Sequence, residues 1–140
     1  MPVLTWTPPA DKFVDGPVPV AERYTRGWIA ERVEPLLAGL PKDRAHFCGV
    51  DFGRSGDLSV FWPATEEKDL RLVPPFVLEL RNCPHRTQEQ VLFAILDGMP
   101  RFSGVSLDAR GTGSALAETA RQQCRPGLVR EVTVSASSYR

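Results

Sequence analysis

The alternation of apolar and polar residues predicts a chain in which strands come first and helices are then inserted between them. Apolar runs of strand length, bounded by glycine, proline or charged residues, occur at residues 47–51, 58–62, 70–80, 102–107 and 128–134. Pro74 and Pro75 interrupt the third run. That interruption is typical of an edge strand or a bulge, because proline donates no hydrogen bond to a neighbouring strand.

Apolar residues at helical spacing predict three helices, at residues 21–40, 87–97 and 114–123. The first helix has seven apolar side chains on one face, and Pro35 is expected to break or kink it. Thr87 is a favourable N-cap for the second helix. Each helix therefore has one apolar face that can cover a sheet.

The resulting order, β-β-β-α-β-α-β, predicts an α/β fold. Three antiparallel strands are continued by parallel strands in one mixed sheet, with flanking helices. We expect an extended proline-rich arm over residues 1–20, a helix and linker over residues 21–44, and the sheet domain over residues 45–140. In such a sheet the first and fourth predicted strands are neighbours.

Composition narrows the class of protein without identifying it. A chain of 140 residues with 42% hydrophobic content is expected to form one domain with a real core. The formal charge is zero, which excludes a strong overall attraction to nucleic acid or membrane. Residues 1–79 carry 9 basic and 12 acidic groups, whereas residues 80–140 carry 8 and 5. The second half is therefore the half favoured for anion contacts, and a solvated mixed surface is an equally good interpretation of the asymmetry.

The cysteines and the apolar runs indicate a cytosolic protein without a membrane span. Cys48, Cys83 and Cys124 are widely separated, which argues against a disulfide framework and against zinc. No apolar run approaches the roughly 20 residues that a membrane-spanning helix needs. The Gly-x-x-x-x-Gly-Lys-Ser/Thr sequence of P-loop ATPases is absent.

Two predicted strands end in an aspartate that precedes a glycine-containing turn. Asp51 ends the first strand and Asp108 ends the fourth. Because these strands are predicted neighbours, the two carboxylates would converge, and they would repel each other unless protonated or bridged by a cation. The pair therefore predicts a site for Mg²⁺ or Mn²⁺ that also takes a substrate phosphate. The alternative is that both are ordinary turn residues beside glycine.

Three further residues could support such a site. Asp57 is either a third acid or a residue that stabilises the turn at Gly56. Arg54 and Arg110 each follow a candidate aspartate, and they could bind phosphate or pair with the aspartates.

Other residues with suggestive chemistry are expected to be structural. His46 opens a strand and is expected at the surface or rim, and His85 is expected in a loop, so neither is predicted to be catalytic. Packing is the predicted role of the three tryptophans, Trp6, Trp28 and Trp62.

The stretch from Gly49 to Val60, together with Leu107-Asp108-Ala109-Arg110-Gly111, resembles the nuclease domain of large terminase subunits of the Mu-like phage and prophage type. The likeness covers roughly residues 13–140. It implies a ribonuclease H-like fold and a DNA endonuclease that uses two divalent metal ions. Matched residue by residue, Asp51 corresponds to the first-strand metal ligand and Asp108 to the fourth-strand ligand.

The same resemblance implies partners and a location. They are double-stranded DNA, a packaging ATPase domain, the small terminase subunit and the portal, in the cytoplasm of a bacterial host. The family has a further acid after the fifth strand, whereas no acid follows Glu131 here, and no ATPase precedes the domain. We therefore expect a fragment, either a truncated gene product or an excised piece.

Three alternatives remain open at this point. The missing acid keeps open a non-catalytic docking or structural module of the packaging motor. An actin-like ATPase or sugar-kinase lobe would also place an aspartate after its first strand, although such proteins have two lobes. A junction-resolving nuclease would share the fold but needs further carboxylates within the chain.

Overall fold

A computed structural model describes residues 2–9, 18–52, 58–108, 112–125 and 127–132. The strands in these ranges are β1 (Val3–Trp6), β2 (His46–Asp51), β3 (Leu58–Glu66), β4 (Leu72–Val73), β5 (Val77–Arg81), β6 (Phe102–Asp108) and β7 (Val129–Val132). The helices are α1 (Val18–Trp28), a π-helical turn (Ile29–Val33), α2 (Glu34–Ala38), α3 (His85–Gly98) and α4 (Thr112–Gln123).

The described strands form one mixed sheet in the order β1-β5-β3-β2-β6-β7, with β4 paired to β3. Strand β2 is antiparallel to β3, and β3 is antiparallel to both β5 and β4. On its other side β2 is parallel to β6, and β6 is parallel to β7. The predicted fold class is confirmed, since antiparallel strands are continued by parallel ones at β2.

All described helices pack on the face of the sheet that carries Cys48 and Val50 of β2. Their buried apolar side chains join those of the strands in a single core cluster, which contains Ile29, Val33, Leu37, Phe61, Leu78, Leu80, Val91, Leu92, Ile95, Val105, Leu107, Ala117 and Ala120. Alternation along the strands turns every second residue of β2 and β3 to the opposite face. Over the described ranges, no helix covers that opposite face.

The first helix differs from its prediction at Pro35. Helical backbone continues from Val18 to Ala38, and Pro35 lies in the first turn of α2. Proline cannot donate to the carbonyl four residues earlier, and the wider π-helical turn directly before α2 accommodates this missing hydrogen bond. Of the predicted break or kink, the break is wrong, because the helical backbone continues through Pro35. The interruption is a change of helical pitch within a continuous helix.

The predicted strand at residues 70–80 is two strands. Leu70 has a φ of 69° and lies in a turn, and Pro74 and Pro75 separate β4 from β5. Strand β4 pairs with the end of β3, whereas β5 lies between β3 and β1 and is not an edge strand. β1 comes from the predicted arm, whose residues 3–6 pair in parallel with β5. The division of the chain at residues 20 and 44 stays a prediction.

Two local predictions are wrong. The helix at Thr87 begins earlier, at His85, with extended Pro84 as the N-cap residue and no side-chain cap. Thr87 is 2% exposed and faces the core. His46 is fully buried, and its Nδ1 lies 2.6 Å from the Pro100 carbonyl oxygen. The partner of His46 lies 54 residues away, so the local sequence does not reveal it.

A buried glutamine joins the start of β3 to the start of α3. Gln88 accepts a hydrogen bond at 2.9 Å from the Ser59 hydroxyl and donates one at 2.9 Å to the Cys83 carbonyl oxygen. Because Ser59 and Gln88 are both almost fully buried, these bonds satisfy groups that water does not reach. They fix the beginning of the strand that runs beside β2.

Candidate functional site at the ends of β2 and β6

The two strand-end aspartates lie on neighbouring parallel strands. The β2–β6 register pairs Gly49 with Ser106 and Val50 with Leu107, so the next residue of each strand is Asp51 and Asp108 respectively. Neighbouring strands are about 4.8 Å apart. The structure therefore brings the backbones of these two predicted site residues side by side. For Asp108 the structure describes the backbone alone.

Burial of β2 fixes the position of Asp51. Val50 is 3% exposed and packs in the core, so alternation turns Asp51 to the face without a described helix. The ring of Phe52 packs edge-on against Phe61, with ring centroids 5.9 Å apart. This contact anchors the chain directly after the aspartate. A carboxylate between two anchored residues is held in one place on the sheet.

Asp51 is partly buried and lies opposite Val60 of β3. Among the residues that the structure describes, its carboxylate has no hydrogen-bond or ion-pair partner. A partly buried carboxylate without a cationic partner retains its acceptor lone pairs for a ligand. Its oxygen atoms match the preference of Mg²⁺ and Mn²⁺ for hard donors.

The three supporting residues, Asp57, Arg54 and Arg110, lie outside the described residues. Their roles stay predictions. Within the described ranges there is no group of three or more His, Cys, Asp or Glu side chains arranged to hold a metal ion.

Histidines and cysteines do not add to the site. His46 begins β2, at the opposite end from Asp51, and His85 is the first residue of α3. Burial raises the pKa of the Cys48 and Cys83 thiols from about 9 to about 12, so both stay protonated at neutral pH. Partial burial and the nearby charge of Asp97 also raise the pKa of Cys124. These thiols are poor nucleophiles and poor metal ligands.

Trp62, for which packing was predicted, lines a groove on the same face as Asp51 that was not predicted. Trp62 is 40% exposed, and the groove beside it has a volume of about 350 Å³. Its lining includes Phe47, Gly49, Ser106 and Arg130. The alternation of side chains along a strand was the signal that could have revealed the exposure of Trp62. Phe61 is fully buried, so the next residue, Trp62, faces the opposite side of the sheet.

No membrane-crossing helix, by length and apolar character, occurs in the part of the chain that the structure describes.

Comparison with known proteins points to one phage protein family. No family model matches the chain. It is 36% identical, over 139 residues, to the probable terminase large subunit gp28 of Escherichia phage Mu, a match that covers 99% of this chain and 25% of the relative. It is 38% identical over 106 residues to the Mu-like prophage FluMu protein gp28 of Haemophilus influenzae, covering 76% of this chain and 21% of that protein.

A solved structure has the same fold. The large terminase nuclease of thermophilic phage G20c, crystallised with bound magnesium, superposes with a TM-score of 0.54 and 23% identity, over 70% of this chain and 49% of that one. This likeness shows that the sheet is ribonuclease H-like. The chain spans about a quarter of the length of its curated relatives. The chain therefore has a ribonuclease H-like sheet and is similar, over 99% of its length, to one region of a Mu-like large terminase subunit.

Proposed function

We propose that this chain is the nuclease region of a packaging terminase and hydrolyses DNA phosphodiester bonds at Asp51 and Asp108. The observation that carries the proposal is the parallel register of β2 and β6, in which the two aspartates follow the paired residues Val50 and Leu107. Two aspartates at adjacent strand ends would supply carboxylates to one acidic site at this edge of the sheet.

A divalent cation, Mg²⁺ or Mn²⁺, is proposed as the cofactor. The carboxylate of Asp51 supplies hard oxygen donors and has no competing cation among the described residues. Mutual repulsion between Asp51 and Asp108 further favours a bound cation. When bound, such ions supply an activated water and stabilise the leaving oxygen. The magnesium in the solved terminase nuclease supports this choice.

The chain's own residues would hold and orient the reactants. Asp51 and Asp108 would hold the cation at a fixed position relative to the sheet. Arg54 and Arg110 would bind the DNA phosphate through their guanidinium groups. Asp57 would be an additional acid near the first ligand.

Double-stranded DNA is the proposed substrate. The packaging ATPase domain, the small terminase subunit and the portal are proposed partners. These assignments rest on the gp28 relatives, of which this chain spans about a quarter. The proposed setting is the cytoplasm of a bacterial host.

Metal binding and DNA cleavage test the proposal together. Titration of the chain with Mn²⁺ in a calorimeter should give a binding heat that Asp51→Asn and Asp108→Asn abolish. Nicking of supercoiled plasmid in Mn²⁺ should be lost in the same variants. Asp43→Asn is the matched control, because Asp43 is an exposed carboxylate before the opposite end of β2. Wild-type metal binding and nicking by Asp51→Asn would refute the proposed site.

A non-catalytic docking module is the second candidate. Such a module would need no group of three metal-ligating side chains, and the described residues contain none. It predicts no Mn²⁺ heat and no nicking by the unmodified chain. A nucleotide-binding lobe predicts instead that ATP raises the melting temperature, by mass action on the folded state.

A further inference from the structure

A row of residues with different chemistry crosses the sheet beside the aspartates. The strand registers pair Trp62 with Gly49, Gly49 with Ser106, and Ser106 with Arg130. This row, called here the tryptophan row, therefore runs across β3, β2, β6 and β7. Asp51 lies two residues beyond Gly49 on the same strand, about 7 Å away. The tryptophan row is thus immediately next to the proposed cleavage site.

All four residues of the row face away from the helices. Each is adjacent in sequence to a core residue, and alternation turns it to the opposite face. Trp62 is 40% exposed, and Ser106 and Arg130 are exposed. No Asp or Glu is among the described residues that line the groove. One end of the groove is therefore aromatic and the other is cationic.

Gly49 gives the aromatic end its shape. A Cβ atom at position 49 would lie 2.1 Å from Nε1 and 2.2 Å from Cε2 of Trp62. The indole ring therefore rests directly on the backbone of β2. Phe47 approaches Gly104 in a similar way, with 3.3 Å between a Gly104 Cβ and the Phe47 Cδ1. The two glycines let aromatic rings lie low on the sheet and leave a groove above it.

We propose that this groove binds one nucleotide of an unpaired DNA strand next to the scissile phosphate. The base stacks on Trp62, and Ser106 and Arg130 contact the phosphate. This inference rests on the proposed nuclease function, because it places the nucleotide beside Asp51. The substrate it implies is DNA whose strand is locally unpaired at the cleavage position.

Three physical features favour an unpaired nucleotide. Stacking on an aromatic side chain suits any base, because every base has a π-face. A base inside a duplex is already stacked on both sides, so it must leave the helix to reach Trp62. Arginine matches phosphate geometry with its planar fork, and the absence of carboxylates along the described lining avoids repulsion.

The test is DNA binding in EDTA, where the metal site plays no part. Fluorescence anisotropy would compare a labelled oligo-dT strand with a blunt duplex of equal length. We expect Trp62→Ala to weaken single-strand binding about 5- to 150-fold, the range for loss of one base stack. Trp62→Phe should retain most of the affinity. Duplex binding should change less than twofold in both variants.

Arg130 gives an independent measurement. Arg130→Gln should weaken single-strand binding and reduce the slope of log affinity against log salt by about 0.7, the value for one phosphate contact on a single strand. Arg32→Gln, an exposed arginine on the helical side, should leave the slope unchanged. Val3→Ala, at a 54% exposed apolar residue of β1, is the control for Trp62→Ala. Thermal melting of each variant checks that it is folded.

The results separate this inference from the nuclease proposal. Wild-type single-strand affinity in folded Trp62→Ala, or equal losses for single strand and duplex, would overturn the groove assignment even if Asp51→Asn abolishes cleavage. Conversely, selective loss of single-strand binding in Trp62→Ala supports the groove even if the chain does not cut DNA. Failure of the unmodified chain to bind oligo-dT would also overturn the groove assignment. A protein partner would then be the alternative occupant of the groove.

Discussion

Replacing Gly49 by alanine should destabilise the protein, and the sign of the effect should depend on Trp62. The new Cβ would lie 2.1 Å from the indole, closer than real Cβ contacts allow. Because β2 is paired on both sides, its backbone cannot move away. The partly exposed indole is the group that can shift, and it would leave the surface of β2.

The cost follows from the area that the ring now covers. A buried tryptophan removes about 150–250 Å² from water, and Trp62 is 40% exposed. The ring therefore covers roughly 90–150 Å², and loss of about half of this contact at about 25 cal/mol/Å² corresponds to ~1–2 kcal/mol. Alanine offsets part of this by restricting the unfolded chain, by about 0.4–1 kcal/mol. We therefore expect a net destabilisation of about 1 kcal/mol.

The decisive comparison is the same substitution in a Trp62→Ala background. Without the indole, the added methyl group meets no ring, and Gly49→Ala should stabilise the protein by about 0.4–1 kcal/mol. Urea unfolding of the four proteins gives the coupling energy between the two positions. Gly27→Ala is the control, because a Cβ at this helical glycine meets nothing within 4 Å and should stabilise in both backgrounds. Equal effects of Gly49→Ala with and without Trp62 would refute the reasoning.

Two further predictions concern the core. Gln88→Ala should lower the free energy of unfolding by about 2–3 kcal/mol, because it removes two buried hydrogen bonds, one from the Ser59 hydroxyl and one to the Cys83 carbonyl oxygen. Urea unfolding measures this, and the exposed Gln122→Ala should stay within about 0.5 kcal/mol. The raised thiol pKa of Cys48 predicts that its contribution to stability is full below pH 9. It is lost as the pH rises from about 9 to about 12, because the unfolded thiol ionises first. Unfolding at several alkaline pH values checks this, and Cys48→Ala should flatten the decline.

The central strands were predictable because their apolar runs reflect burial. β2 and β6 each supply core residues at alternate positions, so both the strands and their terminal aspartates could be read from sequence. β1 was harder, because it is held by pairing with β5, more than 70 residues away. The alternation from Val3 to Trp6, in which Leu4 and Trp6 pack towards the core, was the available signal.

His46 and Thr87 were misassigned for different reasons. His46 is buried because its Nδ1 meets the Pro100 carbonyl, 54 residues along the chain. The N-terminus of α3 is set by the extended backbone of Pro84, so Thr87 lies inside the helix rather than at its cap. The contact of His46 leaves no local pattern in the sequence, whereas Pro84 was a local signal for an earlier helix start.

The position of the candidate site follows from where the sheet changes direction. β2 is the strand at which the antiparallel half, β3 and β5, meets the parallel half, β6 and β7. Parallel neighbours end at the same edge, so Asp51 and Asp108 come together there, while the antiparallel neighbour β3 brings Trp62 back past Gly49. Strand β2 thus has Asp108 of β6 beside its end on one side and Trp62 of β3 on the other. This is the physical reason why a proposed cleavage site and a proposed base-stacking groove lie about 7 Å apart.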